Sequence, residues 1–268
     1  MEYTVLTSRK NPAVVNAAAL SADKKSRDAS GLFAAEGVKL LGEVLSAGLS
    51  VESVFFTGRA LDTLGAKLDI AGADRYLVTD EVFAKLTTES APQGVYACVR
   101  KPENGVLSDE ILAEGGFVML DEVQNPANIG AILRSAFALG FERILLTKTS
   151  ADIYSPKCVR AAMGSLFRIK PFFTDDLPKD IERAGRSGAR VFCTLLSEHS
   201  ARLGSVRFAA SDSFVVGNEG HGVSAAVADA CSHSLTIPMN PGAESLNAAA
   251  AAGIVMWEMK KDHLLAHF

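Results

Sequence analysis

Residues 117–140 read FVMLDEVQNPANIGAILRSAFALG and contain a clear strand–turn–helix signal. The four apolar residues 117–120 predict a buried strand, and Pro126 lies in the turn that follows it. Apolar residues at helical spacing then predict a helix over residues 128–139, with Gly140 at its carboxyl-terminal end. A strand followed at once by a helix is the repeating unit of parallel α/β sheets, so this stretch predicts an α/β fold.

Further strand and helix patterns follow on the carboxyl-terminal side of this unit. The predicted strands cover residues 143–147, 190–195, 213–216 and 234–238, and the predicted helices cover residues 157–164, 177–187 and 248–261. Their alternation predicts a mostly parallel sheet with helices on both faces. Because ligands bind beyond the carboxyl ends of the strands in such sheets, the loops at those ends are candidate sites.

The first hundred residues alternate in the same way and predict a smaller α/β/α layer. Its predicted helices cover residues 12–20, 33–47, 61–68 and 80–86, the last capped by Asp80, and its predicted strands cover residues 51–57, 76–79 and 94–100. Residues 101–108 (KPENGVLS) combine proline, Asn-Gly and charged residues, which is typical of a linker. The sequence therefore predicts two domains, residues 1–102 and residues 109–268, without an internal repeat.

The composition is that of a folded protein without strong net charge. Of the 268 residues, 48% are hydrophobic and 22% are charged, and the formal net charge is −4. This apolar content excludes an intrinsically disordered protein, and the charge argues against a nonspecific coat on nucleic acid. We expect a soluble, cytoplasmic protein, because there is neither a signal-like amino terminus nor an apolar run long enough to cross a bilayer.

The cysteines and histidines indicate neither a disulfide framework nor a metal site. The four cysteines are dispersed and form no C-x-x-C pair, which predicts reduced thiols. Cys231 and His233 are an isolated pair of potential ligands, so no metal is expected.

The amino terminus is locally basic. Up to residue 27, two acidic residues stand against five basic ones, which are Arg9, Lys10, Lys24, Lys25 and Arg27. Such a cluster predicts contacts with RNA phosphates, and a merely solvated surface is the alternative.

The first candidate segment of a functional site is residues 120–134, which form a loop and the start of a helix. Asn128 is a candidate helix cap, with Pro126 setting up the turn before it. Gly130 lies inside the predicted helix, where glycine costs about 1 kcal/mol, and this indicates the close approach of another group. Arg134 lies one turn further, beside the apolar stripe, and is either a ligand contact or a surface side chain.

The second segment, residues 215–224 (VVGNEGHGVS), places three glycines within six residues after a predicted strand. Such a loop presents bare backbone N–H and C=O groups to a ligand. Its G-x-x-G-x-G spacing differs from the dinucleotide fingerprint, and it lacks the lysine of a phosphate-binding loop. Glu219 is either a ligand contact or a carboxylate that braces the loop, and a flexible connector is the alternative for the whole segment.

The third segment, residues 236–247 (TIPMNPGAESLN), leads into the predicted terminal helix. Ser245 is predicted as the N-cap of that helix and Asn247 as a residue of its first turn. Both side chains are positioned to face the strand ends, and capping alone is the alternative.

Taken together, these segments resemble the three motifs of the SpoU-type (TrmH) branch of the SPOUT superfamily, which are S-adenosylmethionine-dependent RNA ribose 2′-O-methyltransferases. The matching patterns are N-P-x-N-x-G-x-x-x-R at residues 125–134, G-N-E-G-x-G at 217–222, and I-P-M through S-L-N at 237–247. The resemblance covers about residues 117–260. On fewer residues, the amino-terminal half resembles the family's substrate-binding domain, through Lys25, Arg27, Gly31, Phe33, Glu36 and Gly37.

The resemblance implies a ribosomal-protein-like α/β/α substrate-binding domain, followed by an α/β trefoil-knot SPOUT domain with a mostly parallel sheet. It implies that S-adenosyl-L-methionine lies bent in the knot, with Leu195 lining the adenine pocket. The implied cofactor-binding residues are Leu195, Gly217, Asn218, Ile237, Met239 and Leu246. The implied reactive positions are Asn128, Arg134, Glu219, Ser245 and Asn247. It also implies a homodimer through the carboxyl-terminal domain, with Trp257 of the terminal helix at the interface.

Several points of function stay open at the level of sequence. A guanidinium is a poor base, so Arg134 is expected to hold a phosphate and the 2′-oxygen while Glu219 or solvent takes the proton. The separate amino-terminal domain favours ribosomal RNA over transfer RNA as the substrate. A noncatalytic RNA-binding protein and a nicotinamide-dependent oxidoreductase are the alternatives of other classes. The intact polar motif residues argue against the first, and the missing glycine fingerprint argues against the second.

Overall fold

The structure is a computed structural model that describes residues 1–195 and 200–266. In chain order its strands and α-helices are β1 (Thr4–Leu6), α1 (Pro12–Ala22), α2 (Lys24–Ser30), β2 (Leu32–Glu36), α3 (Val38–Ser46), β3 (Val51–Thr57), α4 (Gly58–Leu64), β4 (Asp74–Val78), α5 (Asp80–Leu86), β5 (Val95–Arg100), α6 (Asp109–Glu114), β6 (Phe117–Leu120), α7 (Pro126–Ala138), β7 (Arg143–Thr147), α8 (Pro156–Ala162), β8 (Lys170–Thr174), α9 (Leu177–Arg186), β9 (Val191–Thr194), β10 (Ala201–Arg202), β11 (Ser213–Val216), α10 (Ala225–Ala230), β12 (His233–Thr236) and α11 (Ala248–Leu265). Within the described ranges, no helix combines the length and apolar character needed to cross a membrane.

The chain divides into two compact units. The first consists of Met1–Glu103 with Asp152–Phe167, and the second of Asn104–Ala151 with Arg168–Phe268. The first boundary falls inside the predicted linker. The prediction of an uninterrupted second domain differs from this division, because residues 152–167 pack within the first unit.

The first unit is built on a five-stranded sheet in the order β1–β4–β3–β5–β2. Strand β4 is parallel to β1 and β3, whereas β5 is antiparallel to β3 and β2. Apolar residues such as Phe55 and Phe83 form its core together with Tyr96. The buried Tyr96 hydroxyl donates to the carbonyl oxygen of Ala17 at 2.7 Å, which satisfies this polar group inside the core.

Two predictions for the first unit are corrected. Residues 33–47 do not form one helix: β2 pairs with β5, and α3 begins only at Val38. The break lies at Gly37, whose φ of +97° is a conformation that favours glycine. The N-cap of α5 is Thr79 rather than Asp80, because the Thr79 side chain accepts a main-chain hydrogen bond from the first turn.

The second unit contains a seven-stranded sheet in the order β10–β12–β9–β11–β6–β7–β8. All its neighbouring strands pair in parallel, which confirms the predicted mostly parallel sheet. Helix α9 packs against α6 and α10, and α7 packs against α11. The short elements β1, α2, α6, β8, β10 and α10 were not predicted, because their few residues carry little periodicity.

Parallel pairing brings the loops of interest to one edge of this sheet. In the register of β9, β11 and β12, Cys193 lies beside Val215, and Thr194 lies beside Leu235. Val216 at the end of β11 pairs with Leu120 at the end of β6. Because parallel strands share their carboxyl-terminal edge, the segments that follow β6, β11 and β12 all leave from the same side of the sheet.

Candidate active site

A cavity of about 560 Å³ lies at the carboxyl-terminal edge of the seven-stranded sheet. This volume falls in the range of small-molecule sites. Its walls are the ends of β9, β11 and β12, the loops that follow them and the start of α11. The lining residues are Thr194, Leu195, Val216, Gly217, Asn218, Glu219, Gly220, His221, Gly222, Val223, Leu235, Thr236, Ile237, Met239, Ser245, Leu246, Asn247, Ala248 and Ala251.

All the residues predicted to bind the cofactor line this cavity; they are Leu195, Gly217, Asn218, Ile237, Met239 and Leu246. Leu195 extends the pairing of β9, since its main-chain N–H donates to the carbonyl oxygen of Leu235 at 2.9 Å. Leu195 and Leu246 keep 36% and 39% of their surface exposed, so part of the cavity wall is apolar and open to solvent. Their function stays a prediction.

The loop at residues 217–222 is closed by its own hydrogen bonds. Asn218 and Gly222 exchange two main-chain hydrogen bonds, of 3.0 and 2.9 Å. The Asn218 side chain accepts from the N–H of Gly220 at 2.8 Å and donates to the carbonyl oxygen of Glu122 at 2.8 Å. A Cβ atom at Gly217 would overlap the backbone of Gly222, so this position requires glycine. The loop therefore presents its backbone to the cavity in a fixed shape.

Glu219 braces the loop that precedes α7. Its two carboxylate oxygens accept from the main-chain N–H groups of Gln124 and Asn125, each at 3.0 Å, and from Asn128 Nδ2 at 2.8 Å. Partial burial alone would raise the pKa of Glu219, but these hydrogen bonds outweigh it and lower the pKa below its ordinary value. A carboxylate stabilised in its charged form is a weak base. This geometry favours the bracing function over proton acceptance.

Asn128 and Asn247 connect the first motif to the third. Asn247 Nδ2 donates to Asn128 Oδ1 at 3.0 Å, so the Asn128 amide uses its oxygen towards Asn247 and its nitrogen towards Glu219. Asn128 is only 7% exposed, and a buried amide needs hydrogen-bond partners for both its oxygen and its nitrogen. The three motifs are thus joined by one chain of side-chain hydrogen bonds.

The structure corrects the helix caps expected in the first and third motifs. The N-cap of α7 is Asn125 rather than Asn128, which lies inside the helix. The N-cap of α11 is Asn247 rather than Ser245, and its Oδ1 accepts from two main-chain N–H groups of the first turn. In both cases the observed cap is a neighbouring asparagine. The sequence could not decide between them, because several good capping residues lie within three positions of each other.

The other two polar motif residues are exposed. Ser245 lines the cavity. Arg134 lies on α7, and its guanidinium makes no hydrogen bond or ion pair with any residue that the structure describes. Arg134 is not among the lining residues, so the structure leaves it available at the surface of the second unit.

Two residues near the cavity were missed by sequence reasoning. Glu122 has a φ of +55°, which is unusual for a residue with a side chain. Its main-chain N–H donates to Thr147 Oγ1 at 3.0 Å, and its carboxylate accepts from Thr149 Oγ1 at 3.2 Å. Its other carboxylate oxygen lies 3.9 Å from Nε2 of His221, which lines the cavity. The position of His221 inside the glycine-rich motif was the available signal, whereas no sequence pattern indicates the backbone conformation of Glu122.

The basic residues of the first unit fall into two groups. Arg9, Lys10, Lys24 and Lys25 are exposed. Arg27 is instead buried, and its Nε lies 2.7 Å from Asp152 Oδ2 while its Nη1 donates to the carbonyl oxygen of Leu20 at 2.6 Å. This corrects the prediction that Arg27 holds an RNA phosphate, because its charge is already paired inside the first unit.

The sequence predicts no metal site. Over residues 1–195 and 200–266, no group of three or more histidine, cysteine, aspartate or glutamate side chains is arranged to hold a metal ion. His233 of the isolated pair stacks on Phe192, with ring centroids 4.9 Å apart.

Two family models match the chain. The model of the SpoU rRNA Methylase family matches residues 116–257, which is more than half of the chain. The model of the MRM3-like substrate binding domain matches residues 11–97.

Similar proteins and solved structures cover nearly the whole chain. The 23S rRNA (guanosine(2553)-2′-O)-methyltransferase RlmP of Bacillus subtilis is 29% identical over 237 residues, which is 88% of this chain and 92% of that protein. The AdoMet-bound rRNA methyltransferase from Sinorhizobium meliloti superposes with a TM-score of 0.84 at 30% identity, covering 97% of this chain and 98% of that one. The SpoU methyltransferase AviRb from Streptomyces viridochromogenes, in complex with AdoMet, gives a TM-score of 0.83 at 26% identity and covers 95% and 99%.

Proposed function

The chain belongs to the SpoU rRNA methylase family, and from this membership we propose that it transfers a methyl group from S-adenosyl-L-methionine to a ribose 2′-oxygen of ribosomal RNA. The observation that carries the proposal is that the second and third motifs line one cavity. The first motif is joined to both, because Asn128 bonds to Glu219 and, across 119 positions, to Asn247. The Bacillus subtilis relative is named for 2′-O-methylation of 23S rRNA, which supports ribosomal over transfer RNA.

The cavity fits the proposed cofactor in size and in the polarity of its walls. Leu195, Ile237 and Leu246 offer an apolar wall for a flat adenine ring. The 217–222 loop offers a hydrogen-bonded backbone with no side chain at Gly217, which allows close approach of a ligand. When bound, S-adenosylmethionine supplies a methyl group on a positively charged sulfur, which makes the methyl carbon electrophilic.

The polar motif residues divide into positioning residues and a substrate contact. Asn247, Asn128 and Glu219 hold the three loops in one geometry through their hydrogen bonds, and such positioning contributes to the rate by aligning the reactants. We assign Arg134 to the RNA: its exposed, planar guanidinium suits a phosphate and the negative charge that develops on the 2′-oxygen.

In this proposal, one unit binds RNA and the other binds the cofactor. The first unit, with the predicted domain of residues 1–102, binds RNA, which the match of residues 11–97 to a substrate-binding domain supports. Its exposed cations Arg9, Lys10, Lys24 and Lys25 are the phosphate contacts. The second unit, with the predicted SPOUT domain of residues 109–268 and its knot, carries the cofactor site. Action on ribosomal RNA agrees with the predicted cytoplasmic location.

We further propose a homodimer through α7 and α11 of the second unit. Three large apolar side chains on these helices, Phe137, Ile254 and Trp257, keep 45%, 41% and 45% of their surface exposed. Because α7 and α11 pack against each other, these side chains lie on adjacent helices, and apolar surface of this kind is typical of interfaces between copies of a chain. Light scattering should therefore give a dimer mass for the wild type and a monomer mass for Trp257→Glu. A monomeric wild type would contradict the proposal.

The test of the enzymatic function is methyl transfer from labelled S-adenosylmethionine to RNA that lacks its natural modifications. Transcribed ribosomal and transfer RNA are offered separately, and each product is digested to nucleosides. We expect label in a 2′-O-methyl nucleoside from ribosomal RNA. Label only in transfer RNA would change the substrate, and absence of both transfer and calorimetric cofactor binding would favour a noncatalytic RNA-binding protein.

A matched pair of arginine variants sharpens this test. Arg134→Ala should reduce transfer strongly, on the order of 10²-fold, because the reacting oxygen then lacks a positively charged partner. Arg186→Ala is the control, since Arg186 is exposed at the end of α9 and remote in sequence from the motifs. Equal rates for the two variants would contradict the function assigned to Arg134.

A further inference from the structure

Four titratable side chains stand at or next to the cavity of the second unit, and two of them are already engaged. Asp121 is 3% exposed, and its carboxylate accepts from the main-chain N–H of Ser224 at 2.8 Å. Glu219 accepts three hydrogen bonds that lower its pKa. The side chains left to accept a proton are Glu122 and His221, neither of which is among the polar motif residues predicted from the sequence.

The pair Glu122–His221 has the geometry of a base and its orienting partner. His221 lines the cavity between the glycines of the 217–222 loop and is exposed. Nε2 of His221 lies 3.9 Å from a carboxylate oxygen of Glu122, which is within ion-pair distance. Contacts between catalytic groups are often longer in the absence of substrate than in the reacting complex. His221 is thus accessible from the cavity, with Glu122 beside it.

The backbone around Glu122 indicates that its position is maintained at a cost. A φ of +55° is unfavourable for a residue with a Cβ atom. It persists here because Thr147 accepts from its N–H and Asn218 donates to its carbonyl oxygen. Thr149 fixes the carboxylate from the other side. Non-glycine residues held in such conformations cluster at functional sites.

From this arrangement we propose that His221, oriented by Glu122, accepts the proton of the ribose 2′-hydroxyl during methyl transfer. The inference rests on the proposed function and deepens it by naming the proton acceptor. It also resolves the difficulty that Arg134 is a poor base and that Glu219 is stabilised as a carboxylate.

The step balances with groups that the proposed reaction already contains. The 2′-hydroxyl proton moves to a ring nitrogen of His221 as the oxygen forms its bond to the methyl carbon. The carbon–sulfur bond breaks, and its electron pair stays on the sulfur, which becomes a neutral thioether. The imidazolium then releases its proton to water, so neither an oxidant nor a metal enters the step.

The charges around His221 suit this function. The carboxylate shown at ion-pair distance from its ring is that of Glu122, from the loop after β6, and Glu219 belongs to the same loop as His221. Negative charge favours the imidazolium that forms on proton transfer. Histidine is also the side chain that ordinarily changes its protonation between about pH 5 and 8.

The experiment is single-turnover methyl transfer at saturating S-adenosylmethionine, with ribosomal RNA as substrate, from about pH 5 to 8. We expect the wild-type rate to fall towards the acid end of this range. His221→Asn should lower the rate by about 10²-fold or more, abolish this pH dependence and leave the calorimetric cofactor Kd unchanged. His233→Asn is the control: another exposed histidine of the same unit, outside the cavity lining, should keep the wild-type rate and profile.

Glu122→Gln provides a second, milder test. It keeps the size of the side chain and removes its charge, so the imidazolium is less stabilised. The rate should fall by about tenfold, and the acid limb of the pH profile should move to lower pH. If Glu122 had only a structural function, Glu122→Gln would leave the acid limb of the pH profile at its wild-type position.

The outcomes separate this inference from the proposed function. If the wild type labels no RNA, the proposed function fails and the inference fails with it. If the wild type labels RNA while His221→Asn keeps its rate and pH profile, only the inference is overturned. A variant whose rate is normal at saturating cofactor, with only a weaker cofactor Kd, also overturns it, because His221 is then a binding residue.

Discussion

Asn247 Nδ2 donates to Asn128 Oδ1 at 3.0 Å, and this hydrogen bond closes a link between residues 119 positions apart. Asn247 simultaneously caps α11 through its Oδ1, while Asn128 passes the link to Glu219 through its Nδ2. One asparagine therefore starts a helix and fixes the loops around the cavity. Substitutions of Asn247 can separate these two functions.

Two substitutions of Asn247 should separate capping from positioning. Asn247→Ala loses both, and we expect about 1 kcal/mol of lost unfolding free energy together with reduced methyl transfer. Asn247→Asp retains a good capping oxygen but replaces the donating amide with an acceptor that faces Asn128 Oδ1. It should keep most of the stability in chemical denaturation and still lose transfer activity. Wild-type transfer by Asn247→Asp would show that the bond to Asn128 has no part in positioning.

The acid stability of the protein should depend on Glu219. Because hydrogen bonds lower its pKa in the folded state, its stabilising contribution is fully present above the unfolded pKa. That contribution is lost as the pH falls below about 4.5 and through the lowered folded value. Unfolding free energies measured across this range should show a loss in the wild type that is smaller in Glu219→Gln. Parallel pH curves for the two proteins would contradict this.

The buried ion pair of Arg27 and Asp152 should be essential to the first unit. Arg27→Met leaves the Asp152 carboxylate without its partner, and breaking a buried pair from one side costs about 3–5 kcal/mol. The double variant Arg27→Met/Asp152→Asn should recover part of this loss, since no uncompensated charge remains. Lys25→Met, an exposed neighbour on α2, is the control and should change the unfolding free energy by less than about 0.5 kcal/mol. A single variant as stable as this control would refute the structural function of Arg27.

RNA affinity should depend on the exposed lysines of α2 rather than on Arg27. In Lys24→Ala/Lys25→Ala, we expect weaker RNA binding and a shallower dependence on salt, by about 0.7 in the log–log slope for each phosphate that the variant no longer neutralises. Cofactor affinity, measured by calorimetry, should not change. Lys67→Ala, an exposed lysine elsewhere in the first unit, serves as the control. An unaltered salt slope in the double variant would place the RNA on another surface.

Local sequence patterns were sufficient for much of the second unit. The strands β6, β7 and β11 occupy the residues that the apolar runs predict, because short buried strands between turns depend on their own composition. The six predicted cofactor residues also line one cavity. Their positions along the chain are sufficient to predict that they lie together. Each residue follows or lies near the end of a parallel strand, and those ends meet at one edge of the sheet.

What the sequence by itself determined is therefore the α/β class, the motif segments and their place at the strand ends. The tertiary structure decided which side chain meets which. Arg27 and Lys25 look alike in the sequence, yet only Arg27 is buried, because Asp152 comes to it from 125 positions away. Asn125 rather than Asn128 caps α7, since Asn128 is occupied by Glu219 and Asn247. The orientation of Glu122 towards His221 likewise depends on hydrogen bonds from distant loops, and such partners are set by packing rather than by neighbours in the chain.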